Sequence, residues 1–401
     1  MDRAAATGCA RLLVENVERV IRGKTRAVEA AATALFAGGH LLVEDVPGVG
    51  KTMLGRSLAR SIAGSFKRVQ ATPDLLPSDI TGSSILNQRT FDLEFIPGPV
   101  FANVVLLDEI NRTTPRTQSA LLEAMDEHAV TVDGTRHALP DPLFVIATQN
   151  PLEHHGTYPL PEGQLDRFAI AMELGYVDPV EEQHIVRSQL ESHPINELDA
   201  ALGLADVIAI QRAVRRTAVA PEVLGYALSI VTASRAHPEL SLGASPRASV
   251  SLVRCAQAQA LLDGRDFVVP DDIKRLAAPV LGHRVLLAGE LRFERKRGNT
   301  VIEDIVGRAP VPVARERPAQ SNPPPARHLA TDGDGAGLSG GARPVAAPAG
   351  RHRMISEDDP APAGPERVRP RSAGPPPPPP PPPAPRSDTP TGAERRPSGS
   401  S

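Results

Sequence analysis

Three stretches of the chain are apolar without interruption: Leu41-Leu42-Val43, Val104-Val105-Leu106-Leu107 and Leu143-Phe144-Val145-Ile146-Ala147. A strand with one wet face alternates apolar and polar residues, so unbroken runs predict strands covered on both faces, as in a parallel sheet between helices. From about Asp178 the pattern changes to apolar residues at helical spacing. Helices are predicted over 180–190, 204–214, 221–236, 248–262 and 270–281. The pattern therefore reads as an α/β domain over 1–177 followed by a small helical domain over 178–309, with no repeat of solenoid length.

Beyond that point the composition shifts. No aromatic residue follows Phe293, and more than half of the 42 prolines lie after Ala309, among Gly, Ser and Arg. Such a segment cannot bury enough apolar surface to offset its ordering entropy, so 310–401 is expected to be disordered. The unbroken run Pro375 to Pro383 predicts a polyproline II rod, a spacer or a ligand for a proline-reading domain.

Composition excludes some roles. A formal charge of -3 offers no general attraction to phosphate backbones or anionic membranes, so neither nucleic acid nor membrane insertion is expected. Cys9 and Cys255 stand far apart, which suggests reduced thiols rather than a disulfide or zinc framework. The first ten residues lack the basic and apolar regions of a signal peptide, and no stretch reaches the roughly 18–20 apolar residues of a membrane helix; the expected location is cytoplasmic.

The chemistry starts directly after the first apolar run. Asp45-Val46-Pro47-Gly48-Val49-Gly50-Lys51-Thr52 leads into a helical pattern beginning at Met53, giving strand, loop and helix in the order a phosphate loop needs. Gly48 and Gly50 let backbone N–H groups and the helix N-terminus face an anion. Lys51 is then expected to reach the β and γ phosphates, and the Thr52 hydroxyl to ligate Mg²⁺. Asp45 stands where the pattern usually begins with glycine.

The second apolar run ends in Asp108-Glu109, two carboxylates at the C-terminal end of a buried strand, the edge where open parallel sheets bind ligands. Asp108 is expected to hold Mg²⁺ and Glu109 to take the proton of the attacking water. The third run ends at Asn150, whose amide could orient that water or simply make an Asx turn before Pro151. Arg167, in Leu165-Asp166-Arg167-Phe168, is the best candidate for the extra positive charge that phosphoryl transfer needs, supplied from a neighbouring subunit.

These residues, with Thr72-Pro73-Asp74-Leu75-Leu76-Pro77-Ser78-Asp79-Ile80-Thr81-Gly82, Asp108-Glu109-Ile110-Asn111-Arg112, Gly156-Thr157-Tyr158-Pro159-Leu160-Pro161-Glu162 and Gly243-Ala244-Ser245-Pro246-Arg247-Ala248, resemble the MoxR family of AAA+ ATPases over approximately residues 10–290. The resemblance implies a P-loop AAA+ parallel-sheet core with inserted β-hairpins, a helical lid and a hexameric homo-oligomer. It makes Asn150 sensor 1, Arg167 the trans-acting finger and Arg247 sensor 2, with the subunit that Arg247 serves left open. ATP and Mg²⁺ are the implied cofactors, and the resemblance implies as partner a client protein of the kind that bears a von Willebrand factor A domain.

Two hairpins are expected, one from Ser84-Ile85-Leu86 and Phe91 to Phe95, the other around Asp133-Gly134. They are implied to face the ring pore or the client. Gly23-Lys24 and His155 depart from the family pattern, and the adjacent His154-His155 lack the spacing of a metal site. The leading expectation is an ATP-hydrolysing, chaperone-like remodelling factor. A metal-chelatase motor subunit, a nucleic-acid motor and a slowly hydrolysing scaffold are the alternatives.

Overall fold

The computed structural model describes residues 1–150, 157–191, 193–289 and 296–312, which all fall within the unit Met1–Gln320. Two helices, α1 (Arg3–Glu18) and α2 (Thr25–Phe36), precede β1 (Leu41–Glu44), which passes through the glycine loop into α3 (Lys51–Ser61). Next come β2 (Phe66–Gln70), the short α4 (Pro77–Thr81), the hairpin of β3 (Gly82–Leu86) and β4 (Leu93–Pro97), β5 (Val104–Asp108) and α5 (Pro115–Glu127). A second hairpin, β6 (Ala129–Val132) and β7 (Thr135–Ala138), leads to β8 (Phe144–Gln149), α6 (Glu162–Leu165) and β9 (Ile170–Met172).

The remainder is mainly helical: α7 (Pro179–Glu191), α8 (Leu204–Val214), α9 (Pro221–Arg235), α10 (Pro246–Leu262), α11 (Pro270–Leu281) and α12 (Lys296–Arg308). The two-stranded pair β10 (Leu240–Leu242) and β11 (Leu286–Leu287) lies among them. The expected proline-rich tail, apart from its first residues, and the His154-His155 pair lie outside the described residues.

The central sheet has the order β2-β5-β8-β1-β9, with every neighbouring pair parallel. The apolar runs are unbroken because they serve two cores at once. In β5, Val104 and Leu106 enter one buried cluster, while Val105 and Leu107 enter the other. Phe144 and Ile146 divide from Val145 and Ala147 in the same way along β8, as the two-residue strand period requires. Phe144 is fully buried, so its truncation to alanine is expected to cost about 3–5 kcal/mol.

Helix boundaries follow local chemistry. The Asp2 carboxylate accepts from Ala5 N (2.8 Å) to cap α1, whose buried stripe Ala6, Ala10, Leu13, Val17 repeats at helical spacing. α10 begins with Ser245 as its cap and Pro246 in the first turn. The hairpins form two separate two-stranded antiparallel pairs instead of widening the main sheet. The first is pinned at its base by close backbone approach: a Cβ on Gly82 would lie 2.3 Å from the Ile96 carbonyl oxygen, so only glycine fits there.

Candidate functional site

The sheet brings the first set of expected site residues to one edge. Lys51, Asp108, Glu109 and Asn150 all lie at or just beyond the C-terminal ends of β1, β5 and β8. In the loop, Gly48 and Gly50 have φ of +89° and +102°, which β-carbon-bearing residues avoid, and no atom lies within 4 Å of where their β-carbons would be. The loop is an open cradle of backbone. Val49 and Met53 anchor it by packing partly buried against the core, while Val46 is half-buried and Pro47 is exposed. Thr52 follows on the first turn of α3, half-buried.

Lys51 is buried and donates from Nζ to the Asp45 carbonyl oxygen (2.8 Å), so its ammonium is folded across the loop it belongs to. The Asp45 carboxylate has its own structural work. It accepts from Val46 N (2.8 Å) and from Gly175 N (2.6 Å), tying the phosphate loop to the segment that follows β9. Lys24 donates from its ammonium to the Tyr176 carbonyl in the same segment. Lys24 and Asp45 thus both hold the Gly175-Tyr176 segment.

Asp108 and Glu109 are held by residues that sequence reasoning did not single out. Thr148 Oγ1 donates to Asp108 Oδ1 (2.6 Å) and accepts from Glu109 N (2.9 Å), so one hydroxyl locks both. Arg68 on β2 pairs with Asp108 Oδ2 (2.7 Å). Gln70 Nε2 donates to Glu109 Oε2 (3.0 Å), and Arg112 Nε lies 3.0 Å from the same oxygen. Glu109 itself has φ +60°, a left-handed conformation uncommon outside glycine, which turns its side chain off the strand. The Arg68 and Gln70 signal was present as two polar residues with the same parity on a strand, with Gln70 in direct register with Asp108. Asn150 is buried at the end of β8, and beside it Gln149 donates to Glu44.

Arg167 and Arg247 lie elsewhere. Arg167 precedes the N-terminal end of β9, and Ala169 N donates to the carbonyl of His40, the residue before β1 (2.8 Å). Arg167 Nε contacts Asp126 Oδ2 at 2.5 Å, and Arg247 pairs with Asp126 Oδ1. One carboxylate at the end of α5 therefore gathers both guanidiniums. Those two ion pairs hold the Asp126 carboxyl below the usual range, against the opposing effect of its partial burial. Arg247 sits in the first turn of α10, where the helix dipole disfavours a cation, and Asp126 offsets that cost. β1 has four residues, so about 13 Å of strand separates this edge from the phosphate loop.

The Arg167 segment is clamped from the helical side. Arg284, nearly inaccessible, donates from Nη2 to the Phe168 carbonyl (2.7 Å) and pairs through Nε with Asp166 Oδ1 (3.0 Å). Burial pushes its guanidinium down to about 10, with Asp166 opposing. Ser245 Oγ, the cap of α10, donates to Asp166 Oδ2 (2.9 Å). Arg167 and Arg247 are thus positioned by one shared network.

Among the described residues no group of three or more His, Cys, Asp or Glu could enclose a metal, and no helix is long and apolar enough to cross a membrane. The hydroxyl of Thr52 and the carboxylate of Asp108 are hard oxygen donors, few in number, which suits Mg²⁺ completed by phosphates and water. The open cradle at Gly48 and Gly50 similarly suits a phosphate chain.

Comparison with known proteins gives a consistent picture. Residues 40–170 match the model of the ATPase family associated with various cellular activities (AAA), and residues 232–305 match that of the AAA lid domain. The chain is 50% identical over 302 residues to the uncharacterized protein YeaC of Bacillus subtilis, covering 75% of this chain and 94% of that protein. It is 37% identical to Chaperone MoxR1 of Mycobacterium tuberculosis over 77% of this chain and 84% of the relative. Protein MoxR of Methylorubrum extorquens is 32% identical over 72% and 90% respectively. A crystal structure from Cytophaga hutchinsonii superposes with a TM-score of 0.72 at 35% identity, covering 78% of this chain and 97% of that one.

Proposed function

The chain belongs to the MoxR family of AAA+ ATPases, and on that footing we propose that it binds MgATP at interfaces of a homo-oligomeric ring and uses hydrolysis to remodel or activate a client protein. In this reading residues 1–177 form the ATPase core and 178–309 the lid. Residues 45–53 cradle the phosphates, with Lys51 on the β and γ groups. Thr52 and Asp108 would hold Mg²⁺, which when bound neutralises charge developing on the phosphates. Glu109 accepts the proton of the attacking water, and Asn150 orients that water.

The observation that carries the proposal is the pairing of Arg167 and Arg247 on Asp126, at the edge of the sheet opposite Lys51, Asp108 and Glu109. Both guanidiniums lie at the end of the sheet away from their own phosphate loop, which supports their serving a nucleotide held by the adjoining subunit by exchanging or sharing Asp126 for its phosphates. Arg247 therefore joins Arg167 as a trans-acting residue. A hexamer and a client with a von Willebrand factor A domain are proposed from the family alone, as is a cytoplasmic location.

The test is ATP turnover per subunit against protein concentration for wild type, Glu109→Gln and Arg167→Ala. Turnover that rises with concentration and collapses in both variants supports the shared site. Concentration-independent turnover that survives Arg167→Ala rules it out in favour of a self-sufficient ATPase.

A further inference from the structure

Arg167 and Arg247 also line a cavity of about 300 Å³ with an unusual charge balance. One face of α10 supplies Arg247, Val250, Ser251 and Arg254 to its wall, at helical spacings that bring all four to the same side. Arg254 stands about 10 Å beyond Arg247 along that face. Arg215, just after α8, closes the cavity from across. Four guanidiniums thus face one carboxylate, Asp126, which Arg167 and Arg247 already share. Among the described residues neither Arg254 nor Arg215 has a carboxylate partner. Burial, and secondarily the charge of Arg215, pull Arg254 below the usual arginine value. Nearby His40 is held neutral, its pKa pushed down to about 4 mainly by burial, and adds no positive charge at neutral pH.

Arg254 and Arg215, the two guanidiniums that Asp126 does not pair, repel one another, and the arrangement is relieved by an anion with several acceptor oxygens. Phosphate groups fit the planar forks of arginine, which bind them through paired hydrogen bonds. The volume lies at the lower limit of small-ligand pockets, suited to phosphate groups whose nucleoside is held elsewhere. Resting on the shared-site reading above, we propose that Arg254 and Arg215 are additional contacts to the polyphosphate of the adjoining subunit's ATP, so that each interface delivers four arginines to one nucleotide.

The test mixes variants within rings. Arg254→Ala with Arg215→Ala in one chain is expected to slow turnover at saturating protein by about tenfold to a hundredfold, the weight of a hydrogen bond to a charged group. Arg254→Lys, which keeps the charge, should retain more activity than Arg254→Ala. Mixing the double variant with Lys51→Ala subunits should restore turnover, because the latter lend intact arginines to nucleotide bound by the former. Arg167→Ala mixed with Lys51→Ala is the companion measurement: no recovery there overturns the shared site itself, and this proposal with it.

Recovery in that companion, alongside wild-type turnover in the double variant, overturns only the role of Arg254 and Arg215. A slow double variant that fails to recover on mixing overturns it too, since the arginines then act within their own subunit. If the double variant needs more protein to assemble but reaches full turnover at saturation, the cavity holds a neighbour's carboxylate and the phosphate assignment is wrong.

Discussion

Arg68, on the edge strand β2, holds a guanidinium nitrogen 2.7 Å from a carboxylate oxygen of Asp108. A cation thus already occupies the acid to which the proposed function assigns Mg²⁺, and metal binding has to displace or share it. The arginine side chain is 48% exposed, so the pair is screened and worth about 0.2–1 kcal/mol, equivalent to a factor of up to about five in a binding constant. Arg68→Ala is therefore expected to lower the Mg²⁺ concentration for half-maximal turnover by a few-fold, as read in a magnesium titration at fixed ATP. An unchanged or higher requirement would mean that Arg68 supports the site rather than competing for it.

Glu109 is restrained by Gln70 and Arg112 at one oxygen. Both donors hold that oxygen on the protein instead of on water, so Gln70→Ala, which frees it to engage the attacking water, is expected to raise basal turnover a few-fold. Glu109→Gln should lose about 10²–10⁴-fold while still binding nucleotide, the usual contribution of a general base. Steady-state turnover beside equilibrium binding of a fluorescent ATP analogue separates the two effects. Reduced turnover in Gln70→Ala would show that the amide aligns Glu109 for reaction.

The placing of Asp45 to Thr52 and of Asp108-Glu109 after strands was legible because each follows a short unbroken apolar run, the pattern of a strand covered on both faces. β2 was not, since Phe66-Lys67-Arg68-Val69-Gln70 is an edge strand with Val69 as its sole buried residue, and its pattern resembles a loop. β9 has three residues, too few for periodicity to register. Arg68, Gln70 and Thr148 were missed for the same reason: their importance depends on which strands become neighbours. The sharing of Asp126 by Arg167 and Arg247 crosses 121 positions between Asp126 and Arg247, and nothing local in the sequence encodes it.

Asp45 shows how a departure from the glycine of the usual phosphate loop acquires a purpose. Its carboxylate accepts from Gly175 N (2.6 Å) and is 7% exposed, so Asp45→Ala leaves a backbone donor without its partner. The expected cost is about 1–3 kcal/mol of unfolding free energy. Nucleotide affinity should weaken as well, because the loop loses its tether to the segment after β9. Denaturant melts with and without ATP measure both; a variant as stable as wild type would show the tether to be dispensable.

His40 provides the pH dependence. Its Nδ1 accepts from Val145 N (3.2 Å), which requires the neutral ring, and burial lowers its pKa from 6.5 to about 4. The Met125 carbonyl and Asp126 favour the charged form, whereas His128 and Arg247 oppose it. Because the folded pKa is depressed, the unfolded chain binds a proton at this site between pH 6.5 and 4 that the folded chain refuses. Stability from this group is complete above about pH 6.5 and is lost as pH falls toward 4, by about 3 kcal/mol in all. Other groups titrate over the same window, so the comparison is with His40→Gln, whose side-chain oxygen can accept from Val145 N. Denaturation curves between pH 7 and 4.5 should fall more steeply for wild type than for the variant. Equal slopes would show that His40 takes up its proton inside the fold, with the Met125 carbonyl and Asp126 outweighing burial.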